Sequence, residues 1–134
     1  MIRVHQGVDI VEISRLCDLM ERHPSFTEDV FTERERSYCE SHRNPCRHFA
    51  GRFAAKESYL KALGTGLSGA GIDGRLREIE VLTSLSGRPE IAVSGWVARL
   101  ARARKIKQCS LSISHDSGYA VAAVVLVERQ AGGD

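Results

Sequence analysis

Phe49-Ala50-Gly51-Arg52-Phe53-Ala54-Ala55-Lys56-Glu57-Ser58-Tyr59-Leu60-Lys61-Ala62-Leu63-Gly64 is the stretch on which the reading of this chain turns. The spacing predicts a helix over roughly Arg47 to Leu63, the longest in the chain, which Gly64 is placed to end. At about 100° per residue, Phe49, Phe53, Leu60 and Leu63 share a narrow apolar arc. Lys56 falls inside that arc, and Glu57 and Lys61 fall at its edge, one turn apart. A charge on a core-facing stripe is costly unless it is paired or liganded. Two readings stay open on the residues alone. Glu57 and Lys61 form an exposed i, i+4 pair while Lys56 snorkels outward. Alternatively, this edge borders a polar cleft, with a carboxylate for a metal ion and lysines for phosphate.

On the N-terminal side, Val4 to Ile10 reads as a strand with Asp9 near its end. Asp9 either caps the next helix or projects from the strand-to-helix corner as a ligand. Magnesium commonly takes one or two protein carboxylates and completes its shell with water and phosphate. Ile13, Leu16, Leu19 and Met20 mark one face of a helix that stops near His23-Pro24. Thr32-Glu33-Arg34-Glu35 fits a capping box opening a helix toward Ser41. His42 to Arg47 reads as a loop.

Beyond the central helix, Thr65 to Gly74 contains four glycines and reads as a loop. Glu78 to Leu85 and Glu90 to Val93 read as a hairpin turning at Gly87-Arg88-Pro89. Ser94 is placed to cap a helix through Trp96, Val97, Leu100 and Ala101. Cys109 to Ser114 alternates, with Ser110, Ser112 and Ser114 on one face. A polar break follows from His115 to Gly118, where Ser114 and His115 offer phosphate contacts or simply end a solvent-facing strand. Tyr119 to Val127 is almost unbroken apolar, which implies burial on both faces. Such a strand is covered either within one chain or by copies of the chain. Ala131 to Asp134 reads as a loose tail.

The 134 residues suit one domain, with 43% hydrophobic and 27% charged residues. A net charge of +2 is too weak by itself to point to nucleic acid. The run Arg99, Arg102, Arg104, Lys105 and Lys107 allows an RNA-binding module, but it lacks interleaved aromatics for base stacking. Cys17, Cys39, Cys46 and Cys109 show no metal spacing and are expected as free thiols in a reducing compartment. Met1 to Gly7 does not read as a signal peptide, and no apolar run reaches about 18 residues. The expectation is a cytoplasmic protein that does not span a membrane.

Four segments taken in order resemble the phosphopantetheinyl transferases of the small holo-acyl-carrier-protein synthase type. These are Gly7-Val8-Asp9-Ile10-Val11-Glu12-Ile13-Ser14-Arg15; Phe31-Thr32 with Glu35; Phe49 to Ser58 with Lys61-Ala62-Leu63-Gly64-Thr65-Gly66; and Ser112-Ile113-Ser114-His115. The resemblance implies an α/β (α+β) fold, a small antiparallel sheet packed on a long helix, spanning residues 1–134 as one domain. It implies transfer of 4′-phosphopantetheine from coenzyme A to a serine of an apo acyl carrier protein, for fatty-acid or polyketide synthesis. It also implies a homotrimer with active sites between subunits. Asp9 and Glu57 resemble the family's magnesium ligands, and Lys61 its phosphate-contacting lysine. Arg52, Lys56, Ser114 and His115 match positions lining the coenzyme A site, with His115 facing a neighbour's metal centre. Arg15 and Arg22 are the candidates for gripping an acidic helix of the carrier. A catalytically silent trimeric scaffold is the remaining alternative, and intact Asp9, Glu57 and Lys61 argue against it.

Overall fold

Pro45 opens the long helix at a position where its missing N–H leaves no carbonyl unserved, and Gly64 closes it with φ 82°. Gly64 and Thr65 donate their N–H groups to the carbonyls of Lys61 and Leu60. The computed structural model describes residues 1–65 and 74–130, so most of the glycine-rich loop and the C-terminal tail lie outside the described residues. The elements are β1 (Ile2–Glu12), α1 (Ile13–Arg22), α2 (Pro24–Val30), α3 (Glu33–Glu40), α4 (Pro45–Leu63), a 3₁₀ turn (Leu76–Glu78), β2 (Ile79–Thr83), β3 (Pro89–Val93), α5 (Gly95–Ala103), β4 (Ile106–Asp116) and β5 (Tyr119–Arg129). The fold is α+β: an antiparallel sheet of order β1-β5-β4 packs on α4, beside a β2–β3 hairpin.

The helix–sheet contact is close because small residues line it. Ala50, Ala54, Ala55 and Ala62 are buried on α4. Ser58 Oγ donates to the Ala122 carbonyl of β5 at 3.0 Å. Gly7 of β1 lies directly against the helix. A Cβ there would collide with the Ser58 carbonyl oxygen and come within 2.8 Å of the Ala62 nitrogen. Gly7→Ala is therefore expected to cost about 1–3 kcal/mol through overpacking against rigid backbone, read as a lowered urea midpoint with an unchanged m-value.

Side chains alternate across the sheet. Ala120, Ala122, Val124 and Leu126 of β5 are wholly buried beneath α4. The opposite face is not covered by the described residues. There Val4, Val8 and Ile10 of β1 remain 56% to 62% exposed, and Val121, Val125 and Val127 are only half-buried. Of the two readings of the Tyr119 to Val127 strand, coverage of both faces within one chain does not hold among the described residues.

Several boundaries differ from the sequence reading. Helix α2 was not foreseen, because Pro24 reads as a stop although it occupies a first-turn position. The Thr32–Glu35 capping box is present in full. Ser94 makes no side-chain cap. Instead Glu78 Oε1 accepts from the Val97 N–H at the start of α5 (2.9 Å). His115 belongs to β4 rather than to the turn.

The expectation of four free thiols is corrected. Cys17 of α1 and Cys46 of α4 are disulfide-bonded, with Cα atoms 5.6 Å apart. Packing of α1 across α4 brings the two together over a separation of 29 positions, and no local spacing announces it. Cys39, wholly buried, and Cys109, exposed, remain free. No described helix is long and apolar enough to cross a membrane.

Candidate active site

Asp9 pairs in register with Ala122, so its side chain points to the covered face of the sheet, toward α4. Lys61, in the last turn of α4, meets it there. Its Nζ donates to Asp9 Oδ1 at 2.9 Å and to the Val8 carbonyl at 3.0 Å. Glu57 lies one helical turn before Lys61, on the same edge of α4. Its carboxyl group is pushed up to about 8, first by burial and then by hydrogen bonding with and repulsion from Asp9, while Lys61 pulls it back. Asp9 Oδ2 is buried without a hydrogen-bond partner. The structure thus brings Asp9, Glu57 and Lys61 together at one edge of α4.

The donor set suits a divalent cation. One carboxylate oxygen lacks a partner, and a second carboxyl group beside it is held partly protonated, first by burial and then by its hydrogen bonding with and repulsion from Asp9. A hard cation relieves both conditions. Among the described residues, no group of three or more His, Cys, Asp or Glu side chains is placed to hold a metal. The site's two carboxylates, Asp9 and Glu57, are within the number that magnesium commonly takes from a protein.

A second cluster forms at the other end of α4. Arg52 lies with its guanidinium carbon 3.9 Å from the Tyr38 ring centroid and donates to Thr83 Oγ1 at 3.0 Å. His115, at the end of β4, sits over Gly51, and a Cβ there would come within 2.8 Å of His115 Nε2. The ring of His48 stands 6.0 Å from that of His115. These residues wall a cavity of about 170 Å³. Arg52 Nε and His115 Nε2 are buried in it without partners. Burial lowers His115, and Arg47 adds to the effect. His48 is lowered to about 4, mainly by burial and then by His42. Both imidazoles are therefore neutral near pH 7, and the arginine is the local cation. Tyr38, His48 and Thr83 were not singled out from sequence, since no periodicity or motif marks them.

Two further placements depart from expectation. Lys56 does not line an open site. It is wholly buried and spends its ammonium on Glu35 Oε1 (2.7 Å), the Ile79 carbonyl (2.7 Å) and the Leu76 carbonyl (2.9 Å). With no exposed surface it cannot reach a ligand, and its assignment to the coenzyme A site is corrected to a structural one. Glu35 does more than cap, because its other oxygen accepts from the Val81 N–H at 2.8 Å. Ser114 and His115, adjacent in β4, point to opposite faces of the sheet and do not share one pocket of this chain.

Nor do Asp9 and His115 meet within the chain. β1 and β4 flank β5, so their rows lie two strand spacings apart, roughly 10 Å. By contrast, Arg15 and Arg22 are brought together with Glu57. They lie two turns apart on α1 and line a groove of about 440 Å³ between α1 and α4, with Leu16, Leu19 and Phe53 in its walls.

Comparison with known proteins follows the same lines. The family described as the 4′-phosphopantetheinyl transferase superfamily matches residues 6–124. The holo-[acyl-carrier-protein] synthase of Caldanaerobacter subterraneus subsp. tengcongensis is 38% identical over 126 residues, covering 94% of this chain and 96% of that protein. The holo-[acyl-carrier-protein] synthase of Geobacter sp. strain M21 is 44% identical over 122 residues, covering 90% of this chain and 94% of that protein. Among solved structures, the ACPS–CoA complex of Chronobacterium ammoniagenes aligns with a TM-score of 0.84 at 32% identity, over 96% of this chain and 99% of that one. Agreement in sequence and fold across nearly the full length means that the chain belongs to the 4′-phosphopantetheinyl transferase superfamily, in its holo-[acyl-carrier-protein] synthase type.

Proposed function

We propose that this chain transfers 4′-phosphopantetheine from coenzyme A to a serine of an apo acyl carrier protein. The observation that carries the reading is the Asp9–Glu57–Lys61 constellation, with Glu57 also lining the groove under α1. The relatives named as holo-[acyl-carrier-protein] synthases and the coenzyme A complex of a structural neighbour support it. In the reaction, the serine oxygen bonds to the phosphorus that carries pantetheine. The bond from that phosphorus to the bridging oxygen breaks, and adenosine 3′,5′-bisphosphate leaves.

Each residue has a role that its surroundings favour. Lys61 sets a cation against the pyrophosphate oxygens. Glu57, raised toward neutral pH, is suited to take the serine proton onto its carboxylate. His115 is the alternative base, and its neutral ring makes it competent for that. Asp9 and Glu57 are the residues that would hold magnesium, which when bound neutralises charge on the pyrophosphate. Arg52 and His115, with polar atoms unpartnered in their cavity, are assigned to the coenzyme A end of the site. The exposed Arg15 and Arg22 are assigned to an acidic surface of the carrier.

The active assembly in this reading is a homotrimer. The uncovered apolar sheet face, with Val4, Val8 and Ile10, is the surface that copies would bury. The two residue clusters, separate within one chain, would then meet across a subunit boundary. The carrier belongs to fatty-acid synthesis, with a polyketide carrier as the second choice, and the protein acts in the cytoplasm.

The test is mass spectrometry of several apo carriers incubated with coenzyme A, magnesium and the protein. The expected result is one phosphopantetheine group added to one serine. Absence of any adduct across carriers would overturn the reading.

A further inference from the structure

Helix α1 is held to the body of the protein in an uneven way. Its N-terminus has no side-chain cap. Among the described residues, no side chain of α1 forms a hydrogen bond or an ion pair. Leu16, Leu19 and Met20 pack it on the core, and the Cys17–Cys46 bond is its one covalent tie to α4. Cys17 lies between Arg15 and Arg22, and Cys46 lies in the first turn of α4. The bond therefore joins the two walls of the groove that Arg15, Arg22 and Glu57 line.

We propose that the Cys17–Cys46 pair is a redox latch that fixes the stance of α1 and thereby the affinity for the carrier protein. The carrier half of this inference rests on the transferase reading above. Cys17 and Cys46 are half-buried rather than enclosed. The closing step balances as an exchange: two cysteine thiols and one low-molecular-weight disulfide give the protein disulfide and two small thiols. The protein sulfurs are oxidised, the small disulfide is reduced, and the cysteine protons pass to the released thiols. Cys39 does not compete, because it is wholly buried and its thiol is pushed up to about 12, chiefly by burial. Cys109 is exposed and is removed from the experiment by Cys109→Ser.

The closed latch holds both arginines in place before the carrier arrives. The open latch leaves α1 on its apolar contacts and the bond from the Ile13 N–H to the Gly118 carbonyl, and ordering its remainder then opposes binding. The cavity walled by Arg52 and His115 is lined from α3, α4, β2, β3 and β4 and by no residue of α1, whereas both arginines assigned to the carrier lie on α1, so carrier binding is the more strongly coupled to the latch.

The test uses the full chain carrying Cys109→Ser, equilibrated in glutathione buffers from reducing to oxidising. Alkylation and mass spectrometry count the free thiols. The KM for apo carrier is expected to rise about three- to tenfold on reduction, as preorganisation is lost, while the KM for coenzyme A changes by clearly less. Cys17→Ser and Cys46→Ser should each show the reduced value in every buffer. Amide exchange across residues 13–22 should speed up on reduction. Equal carrier KM values in both states, a bond that forms in no buffer, or equal changes for both substrates would overturn the latch. If no carrier is loaded in either state while exchange still responds, the latch stands and the transferase reading fails.

Discussion

Asp9→Ala is expected to lower kcat/KM for carrier loading by about a thousandfold, on the order of 4 kcal/mol of transition-state stabilisation. The side chain removed is one of the two carboxylates in the site and, among the described residues, the one side chain to which Lys61 donates a hydrogen bond. Without it, Lys61 keeps, among the described residues, one hydrogen bond, to the Val8 carbonyl, and its ammonium is held less firmly in the site. Glu57 loses the neighbour that helps raise its carboxyl group and becomes a weaker base near neutral pH. Stability should hardly change. The Lys61 side chain is 51% exposed, and an ion pair of that kind contributes roughly 0–1 kcal/mol. Three measurements separate the effects: loading followed by mass spectrometry, magnesium binding by calorimetry, and urea unfolding. A variant that loads carrier at the wild-type rate, or binds magnesium unchanged, would remove Asp9 from the site. Loss of activity with a large fall in the urea midpoint would make its role structural.

The second large effect falls on stability. Lys56→Met should destabilise the protein by about 3–5 kcal/mol, because it leaves a buried carboxylate without its counter-ion. Glu35 and Lys56 are both wholly enclosed, and their ion pair links α3 to α4. The same ammonium also binds the carbonyls of Leu76 and Ile79, at the entry to the hairpin. Burial lowers Lys56, and Glu35 works against that. Glu35→Gln alone should also be costly, since it leaves the ammonium unneutralised. The double variant is expected to lose clearly less than the sum of the two single losses, because the residues are coupled. Strict additivity in urea unfolding would show that the two do not act as a pair.

These predictions separate what was legible in the residues from what was not. Helix α4 could be read because its signals are local: an apolar arc at helical spacing and a glycine that accepts the left-handed conformation at its end. The capping box at Thr32–Glu35 was legible for the same reason, as its two hydrogen bonds join residues three apart. Lys56 was half legible. Its place inside the apolar arc marked it as unusual, but its partner comes from another helix 21 residues away, and no local pattern names that partner. The assignment to coenzyme A followed family resemblance where burial decides otherwise. Glu78 capping α5 across 19 residues was invisible from sequence for the same reason.

By itself, the sequence determined the order and kind of most elements, the α+β class, and the family to which the chain belongs. It also placed Asp9 on the first strand, though that strand runs on to Glu12 rather than ending at Ile10, and Glu57 and Lys61 on one helix edge. Periodicity and capping are set by neighbours within a few residues, and they survive in a one-dimensional reading. Tertiary structure alone decided which charges face each other, which are sealed inside, and which cysteines meet. Those outcomes depend on how α1, α3 and the sheet close on α4, bringing together groups tens of residues apart. Burial then sets their chemistry, so that Lys56 is structural, Glu57 is raised toward neutral pH, and Cys17 is joined to Cys46.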